Sequence, residues 1–149
     1  QKRKKTGLGA LVLADIDFFK KINDQHGHIQ GDAVLQEVGR LFEAALRKHL
    51  DVAGRYGGEE FLLIYEDSEK EQVLSIVERL RQSIAAHRFQ KIGANGTPLD
   101  GEYLQVTMSF GIAPLQGQSL QNSKEALALA DAALYRSKEG GRNRITLSA

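Results

Sequence analysis

Residues 55–61 run Arg55-Tyr56-Gly57-Gly58-Glu59-Glu60-Phe61. Segments suited to strands flank them, Val52 to Tyr56 before and Phe61 to Tyr65 after. Paired glycines between two strands mark a tight hairpin or a close approach to the backbone. Lacking a Cβ, Gly57 and Gly58 would let a bulky anion come into contact with the main chain. Two carboxylates at the same turn would repel a bare phosphate, but they suit one that arrives with a divalent cation. A polar hairpin tip with solvated acids is the other reading, and the motif alone leaves both open.

A second acidic stretch favours the cation. Leu8 to Asp17 reads LGALVLADID, an apolar run whose acids appear only at its end. It is expected to form a buried central strand. Asp17 precedes Phe18-Phe19-Lys20-Lys21-Ile22 and has an ordinary explanation as a helix cap. Asp15 has no such explanation, and a carboxylate ending an apolar strand is costly unless solvated or paired with a cation. Asp15, Glu59 and Glu60 together would make the hard-oxygen site that magnesium prefers, provided the strand end and hairpin tip are neighbours.

The composition sets limits. The 149 residues suffice for one domain with a core. Twenty basic against nineteen acidic residues leave a formal charge of +1, which argues against nucleic-acid partners and against direct membrane contact from this segment. With no cysteine, disulfides, thiolate zinc sites and cysteine nucleophiles are excluded. No apolar run approaches the ~20 residues of a membrane span, and no signal peptide is visible. The basic cluster Gln1 to Lys5 reads as a solvated lead-in from an upstream segment.

Patterning then orders the chain. A short helix near 18–25 and a longer one at about 29–48 follow the first strand, the latter with Val34, Leu35, Val38, Leu41, Phe42, Ala45 and Leu46 at helical spacing. Ser68 and Glu71 form a capping box for a helix to about 88. Asn95-Gly96 and Asp100-Gly101 are turn signals, and Leu104 to Ile112 alternates as a strand. Asn122 and Glu125 open a last helix that ends at Gly140-Gly141, before a short strand at about 143–147. The predicted fold is an α/β (α+β) sandwich with a mixed, largely antiparallel central sheet flanked by helices.

LADIDFFKKIND at 13–24, GHIQGD at 27–32, RYGGEEF at 55–61, SFGIA at 109–113 and ADAALYRSKEGGRNRI at 130–145 occur in that order. The set resembles the GGDEF domain of diguanylate cyclases, in its GGEEF variant, from about Leu11 to Ile145. The resemblance implies a core like that of adenylyl cyclases and polymerase palms. It implies condensation of two GTP into cyclic di-GMP with release of two pyrophosphates, each GTP held by one protomer of a homodimer. Asp15, Glu59 and the carbonyl of Ile16 would hold magnesium, or manganese in its place. Glu60 would assist the metal or the attacking hydroxyl. Gly57 and Gly58 would let the nucleotide lie against the hairpin. Asn23 and Asp32 would read guanine, whose N1 and N2 donors suit a carboxylate. Asp32 could alternatively cap the helix after it. Phe18, Phe19 and Lys20 would offer backbone N–H groups to phosphates. Lys138 and Arg142 would contact the terminal phosphates, a place where they would also complement a helix C-terminus.

The chain departs from the family at two points. Many members carry an inhibitory product site, Arg-x-x-Asp, five residues before the glycine pair. Asp51 holds the aspartate position, but Lys48 stands where the arginine belongs and Arg47 is one place too far. Lysine lacks the planar fork such a site uses. An extra residue in this loop could still let Arg47 swing in to Asp51, and Arg79, Arg81 and Arg88 could lend partner arginines or simply form a solvated helix face; weak or absent product inhibition is expected. The usual Asp-x-Leu-Thr segment upstream of the first strand is also missing, so the sequence is expected to be one catalytic domain of a longer protein. Sensory or dimerising domains are expected upstream, and any membrane anchor would lie there, with this segment in the cytoplasm. A module that senses GTP or cyclic di-GMP without turnover is the alternative function, although such domains usually have damaged metal carboxylates and these are intact. A structural or dimerising module is a third.

Overall fold

The strand β1, Leu8–Ile16, lies at the centre of a five-stranded sheet and is buried on both faces. Successive side chains of a strand point to opposite faces. Ala10, Val12, Ala14 and Ile16 accordingly enter one core, and Leu11 and Leu13 enter another. Double burial is why the stretch reads as an almost unbroken apolar run. The computed structural model describes residues 8–117 and 120–148, apart from the side chain of Leu120. The basic cluster of residues 1–5 lies outside them.

After β1 come α1 (Phe19–His26), α2 (His28–Ala45), β2 (Asp51–Gly57), β3 (Glu60–Glu66), α3 (Lys70–Ala86), β4 (Phe89–Ile92), β5 (Pro98–Leu104), β6 (Met108–Gln116), α4 (Leu120–Glu139) and β7 (Ile145–Leu147). The large sheet has the order β2-β3-β1-β6-β7, antiparallel except for the parallel β6–β7 pair. Val34, Val38 and Phe42 of α2 join Val73, Val77 and Ile84 of α3 over one face, and Ala126, Ala130 and Leu134 of α4 cover the other. The expected sandwich with a mixed, largely antiparallel sheet is the one observed.

Several boundaries differ from the patterning. The helix expected to reach 48 stops at Ala45, where Leu46 turns to an extended backbone (ψ 144°), and the Arg47 side chain beyond it folds back onto Asp51. The α3 capping box is formed by Glu69 and Gln72, not by Ser68 and Glu71. Ser68 is buried and engaged instead with Arg47 and the Glu66 carbonyl. The single strand expected over 104–112 is broken. Leu104 ends β5, and the chain crosses to the large sheet before β6 begins at Met108. Asn122 lies inside α4, which begins at Leu120, so it does not open that helix. The turn-rich stretch after α3 forms a two-stranded sheet, β4–β5. Buried Gln30 of α2 holds that sheet by donating to the Gln90 carbonyl (3.1 Å) and accepting from the Ile92 N–H (2.7 Å).

Candidate active site

Asp15 is the last inward residue of β1 on the face covered by α4, following Leu11 and Leu13. Its register partner across β3 is Glu60, and cross-strand partners share a face. The Ile16 N–H donates to the Glu59 carbonyl at 3.4 Å, closing the strand end against the hairpin. The neighbourhood required between the strand end and the hairpin tip is therefore present. Asp15 is only 5% exposed and ion-pairs through Oδ2 with the Lys138 ammonium at the end of α4, while its Oδ1 is buried without a hydrogen-bond partner.

Burial pushes the Asp15 carboxyl above its ordinary value. Lys138 pulls it back, and the negative charges of Glu59 and Asp17 push it further up. Burial likewise raises Glu60, with Asp15 adding to the shift and Lys138 opposing it. Both acids therefore take up a proton at higher pH than exposed ones do, and added positive charge would relieve them. The donors are hard oxygens, the type that divalent cations of the magnesium class take, and the orphaned Oδ1 of Asp15 is such a donor. Among the described residues, no three acidic or imidazole groups already lie together as a ligand set. Asp15, Glu59 and the Ile16 carbonyl fit such an ion in chemistry, with Lys138 on one side of Asp15 in the free chain.

The hairpin joins β2 to β3 with a register shift between Arg55 and Gly57. Gly58 has φ +46°, a backbone that glycine adopts without strain. Arg55 donates to the Gly58 carbonyl at 2.6 Å and braces the tip. A Cβ on either Gly57 or Gly58 would meet nothing within 4 Å, so the surface over the turn is open.

Asn23 on α1 packs against Gly31 of α2, the residue before Asp32. A Cβ at Gly31 would overlap the Asn23 carboxamide oxygen and lie 3.1 Å from Phe19 Cζ. That Asn23 oxygen is buried and unpartnered. Asp32 is exposed and sits a full turn inside α2, so the capping alternative for it falls. Beyond Asp32, a groove of about 190 Å³ runs between α2 and β2, with Leu35, Gly39, Arg55 and Phe61 among its walls.

Phe18 takes a left-handed backbone (φ 57°), and its carbonyl accepts from the Lys21 N–H (3.0 Å) and the Ile22 N–H (3.3 Å). The N–H groups of Phe18, Phe19 and Lys20 stand at the start of α1, where helices leave donors unsatisfied. The Arg142 guanidinium lies 4.7 Å from the centre of the half-exposed Phe18 ring, which brings the turn after α4 to the same place.

Asp17 does not cap α1. It is 5% exposed and accepts from the Thr107 hydroxyl (2.6 Å), the Ser109 hydroxyl (2.7 Å) and the Asn143 N–H (2.9 Å). Sequence reasoning missed this junction and missed Asp131, whose charge contributes to raising Glu60. Asp131 stands seven residues before Lys138 on α4, a two-turn spacing that could have placed both on one helix face.

Arg47 and Asp51 do meet, despite the extra residue between them. The guanidinium is bidentate on Asp51 (2.9 and 2.8 Å) and also donates to the Glu66 carbonyl (3.1 Å) and the Ser68 hydroxyl (2.6 Å). The fork is thus spent inside the protein, locking the corner between α2 and β2. Arg79 is exposed on α3 and is not among these partners.

A family model described as "Diguanylate cyclase, GGDEF domain" matches residues 1–144. Diguanylate cyclase A of Treponema denticola is 39% identical over 139 residues, covering 93% of this chain and 35% of its own length. Response regulator PleD of Caulobacter vibrioides is 39% identical over 134 residues, covering 90% of this chain and 28% of its own length. The chain thus spans about a third of the length of these relatives. The crystal structure of the GGDEF domain of DgcB from Caulobacter crescentus in complex with c-di-GMP is similar with a TM-score of 0.80 and 33% identity, covering 94% of this chain and 77% of that one. The active GGEEF domain of a diguanylate cyclase from Vibrio cholerae gives 0.79 and 31%, covering 95% and 83%. With ordered motifs, strand topology and family match in agreement along nearly its whole length, the chain belongs to the GGDEF domain family of diguanylate cyclases.

Proposed function

We propose that this chain is a diguanylate cyclase that condenses two GTP into cyclic di-GMP, assisted by magnesium and acting as a homodimer. The observation that carries the reading is the strand end itself: a buried Asp15 with an unpartnered oxygen, cross-strand from Glu60, beside Glu59 and paired with Lys138. A solvated hairpin tip would not bury a carboxylate there.

Asp15, Glu59 and the Ile16 carbonyl would hold the ion, which when bound neutralises phosphate charge and favours an oxyanion nucleophile. Glu60, with its raised proton affinity, is suited to take the proton of the attacking 3′-hydroxyl. The new bond joins that oxygen to the α-phosphorus of the other GTP, and the bond to pyrophosphate breaks. Lys138 and Arg142, four residues apart at the end of α4, would hold the departing pyrophosphate. The N–H groups of Phe18, Phe19 and Lys20 would orient the phosphates. Asn23 and Asp32 would select guanine, and the open surface at Gly57 and Gly58 would admit the nucleotide. Each nucleotide attacks the other, so two protomers must face each other across a two-fold axis.

The test is incubation with GTP and magnesium, followed by assays for pyrophosphate and cyclic dinucleotide, on the free chain and on a chain fused to a dimerising helix. Turnover is expected; GTP binding without turnover in the fused dimer would instead indicate a sensor. In the same assay, Asp32→Ala should lower the preference for GTP over ATP by about 100-fold, since a site built to hydrogen-bond one base edge rejects another strongly. Unchanged preference would remove Asp32 from base recognition.

Because the Arg47 fork is already committed to Asp51, Glu66 and Ser68, cyclic di-GMP should inhibit weakly or not at all. Calorimetric titration should show no tight site. Binding of two cyclic di-GMP per chain with loss of activity would contradict this.

A further inference from the structure

Two successive residues after α4, Arg142 and Asn143, have left-handed backbones (φ 65° and 47°), although neither is glycine. Non-glycine side chains adopt this region at a cost, so something must hold the turn. From inside, the Arg142 N–H donates to the Ser137 carbonyl at 3.0 Å. From below, the Asn143 N–H donates to the buried Asp17 carboxylate at 2.9 Å, which Thr107 and Ser109 of the β6 approach fix on its other sides. From the flank, Arg81 of α3 donates through Nη1 to Asn143 Oδ1 at 2.8 Å, across 62 positions of sequence. Arg81 is itself oriented by a fork onto Glu78 through Nε (2.8 Å) and Nη2 (2.6 Å). On the turn that these bonds hold, the Arg142 guanidinium lies over the Phe18 ring, at the start of α1.

We propose that Arg81 and Asp17 are positioning residues for the phosphate end of the site: acting on Asn143, they hold the Arg142–Asn143 turn in its left-handed form and so aim the Arg142 guanidinium at the nucleotide. The inference rests on the reading of Arg142 as a phosphate contact. Neither Arg81 nor Asp17 needs to touch the substrate. Arg81 lies on the α3 side of the molecule, so the phosphate grip depends on a helix that carries no residue of the reaction itself.

Arg81→Ala removes the flank bond from a partly exposed side chain and leaves the core intact. Asn143→Gly removes the Oδ1 acceptor but keeps a residue at ease with positive φ. Kinetics of both variants and their double variant, with guanosine as a competitive inhibitor, separate phosphate grip from base binding. Each single variant should raise the KM for GTP about 5-fold, the scale of one charge-assisted hydrogen bond acting indirectly, with kcat held within about two-fold. The inhibition constant of guanosine, which has no phosphate, should stay unchanged. The double variant should be no worse than either single one, because both cut the same link. Equal weakening of GTP and guanosine, full additivity, or an unaltered KM in Arg81→Ala would each overturn the inference while leaving the cyclase reading intact. An unaltered chain that neither binds GTP nor makes a cyclic dinucleotide, even as the fused dimer, would sink that reading and this inference with it.

Discussion

Glu59→Gln should abolish cyclic di-GMP synthesis while leaving the fold unchanged, with turnover falling at least ~10³-fold, about 4 kcal/mol of transition-state stabilisation. Glu59 is half-exposed at the hairpin tip, and the hydrogen bonds that hold that tip fall on its backbone carbonyls and not on the Glu59 side chain: the Ile16 N–H donates to the Glu59 carbonyl and the Arg55 guanidinium to the Gly58 carbonyl. Glutamine keeps the shape and one oxygen but loses the charge that a divalent ion requires. The melting midpoint should therefore move by no more than about 2 °C. Glu66→Gln, at the other end of β3, is the control, and its turnover should match the unaltered chain. Pyrophosphate release by Glu59→Gln at more than about a tenth of the normal rate would remove Glu59 from the metal-binding group and leave Asp15 and Glu60 to do the chemistry.

That this site could be read from sequence follows from the kind of interaction that builds it. The hairpin is local, and alternation along β3 fixes the face of each residue: with Phe61, Leu63 and Tyr65 turned to one face, Glu60 lies on the other, the face of Asp15, and the β1–β3 pairing sets the two opposite each other. An alternating or unbroken apolar pattern specifies faces directly, while the nearness of strand end and hairpin tip comes from the β1–β3 pairing. Asp17 shows the opposite case. Its neighbours suggest a helix cap, yet its three donors come from 90, 92 and 126 positions away. No local pattern announces a carboxylate that ties the ends of three segments together. Gln30 misleads in the same way: its place in a helical stretch says nothing of the β4 backbone that it satisfies. Arg47 adds a third lesson. Counting positions put it one place from register with Asp51 and left open a swing of the longer loop; with α2 ending at Ala45 the side chain does swing back and forms a bidentate pair. Strands and their faces were legible because alternation repeats; single long-range polar contacts were not, because each occurs once.

Gly111→Ala should be among the most destabilising single-methyl additions in the chain, at about 3 kcal/mol or more, with a melting midpoint lowered by about 10 °C. Gly111 lies in β6 opposite Leu13, on the face that α4 covers. A Cβ there would overlap the Ala130 carbonyl oxygen and the Leu134 nitrogen and come within 2.9 Å of Leu134 Cα. These are backbone atoms of a helix, so no side-chain rotation relieves the overlap and α4 must lift from the sheet. Ser137 is carried by the same helix and donates to the Phe110 carbonyl at 2.7 Å, so lifting also breaks a buried hydrogen bond. Lys138 follows Ser137, and displacement of α4 would draw its ammonium away from Asp15. Loss of stability and loss of activity should thus appear together in this variant, whereas Glu59→Gln separates them. Gly54→Ala is the matched comparison: it also lies in a strand, has nothing within 4 Å of a new Cβ, and should change stability by less than about 1 kcal/mol. If Gly111→Ala melts with the unaltered chain, α4 does not rest against β6 at this glycine, and the seating of Lys138 beside Asp15 falls with it.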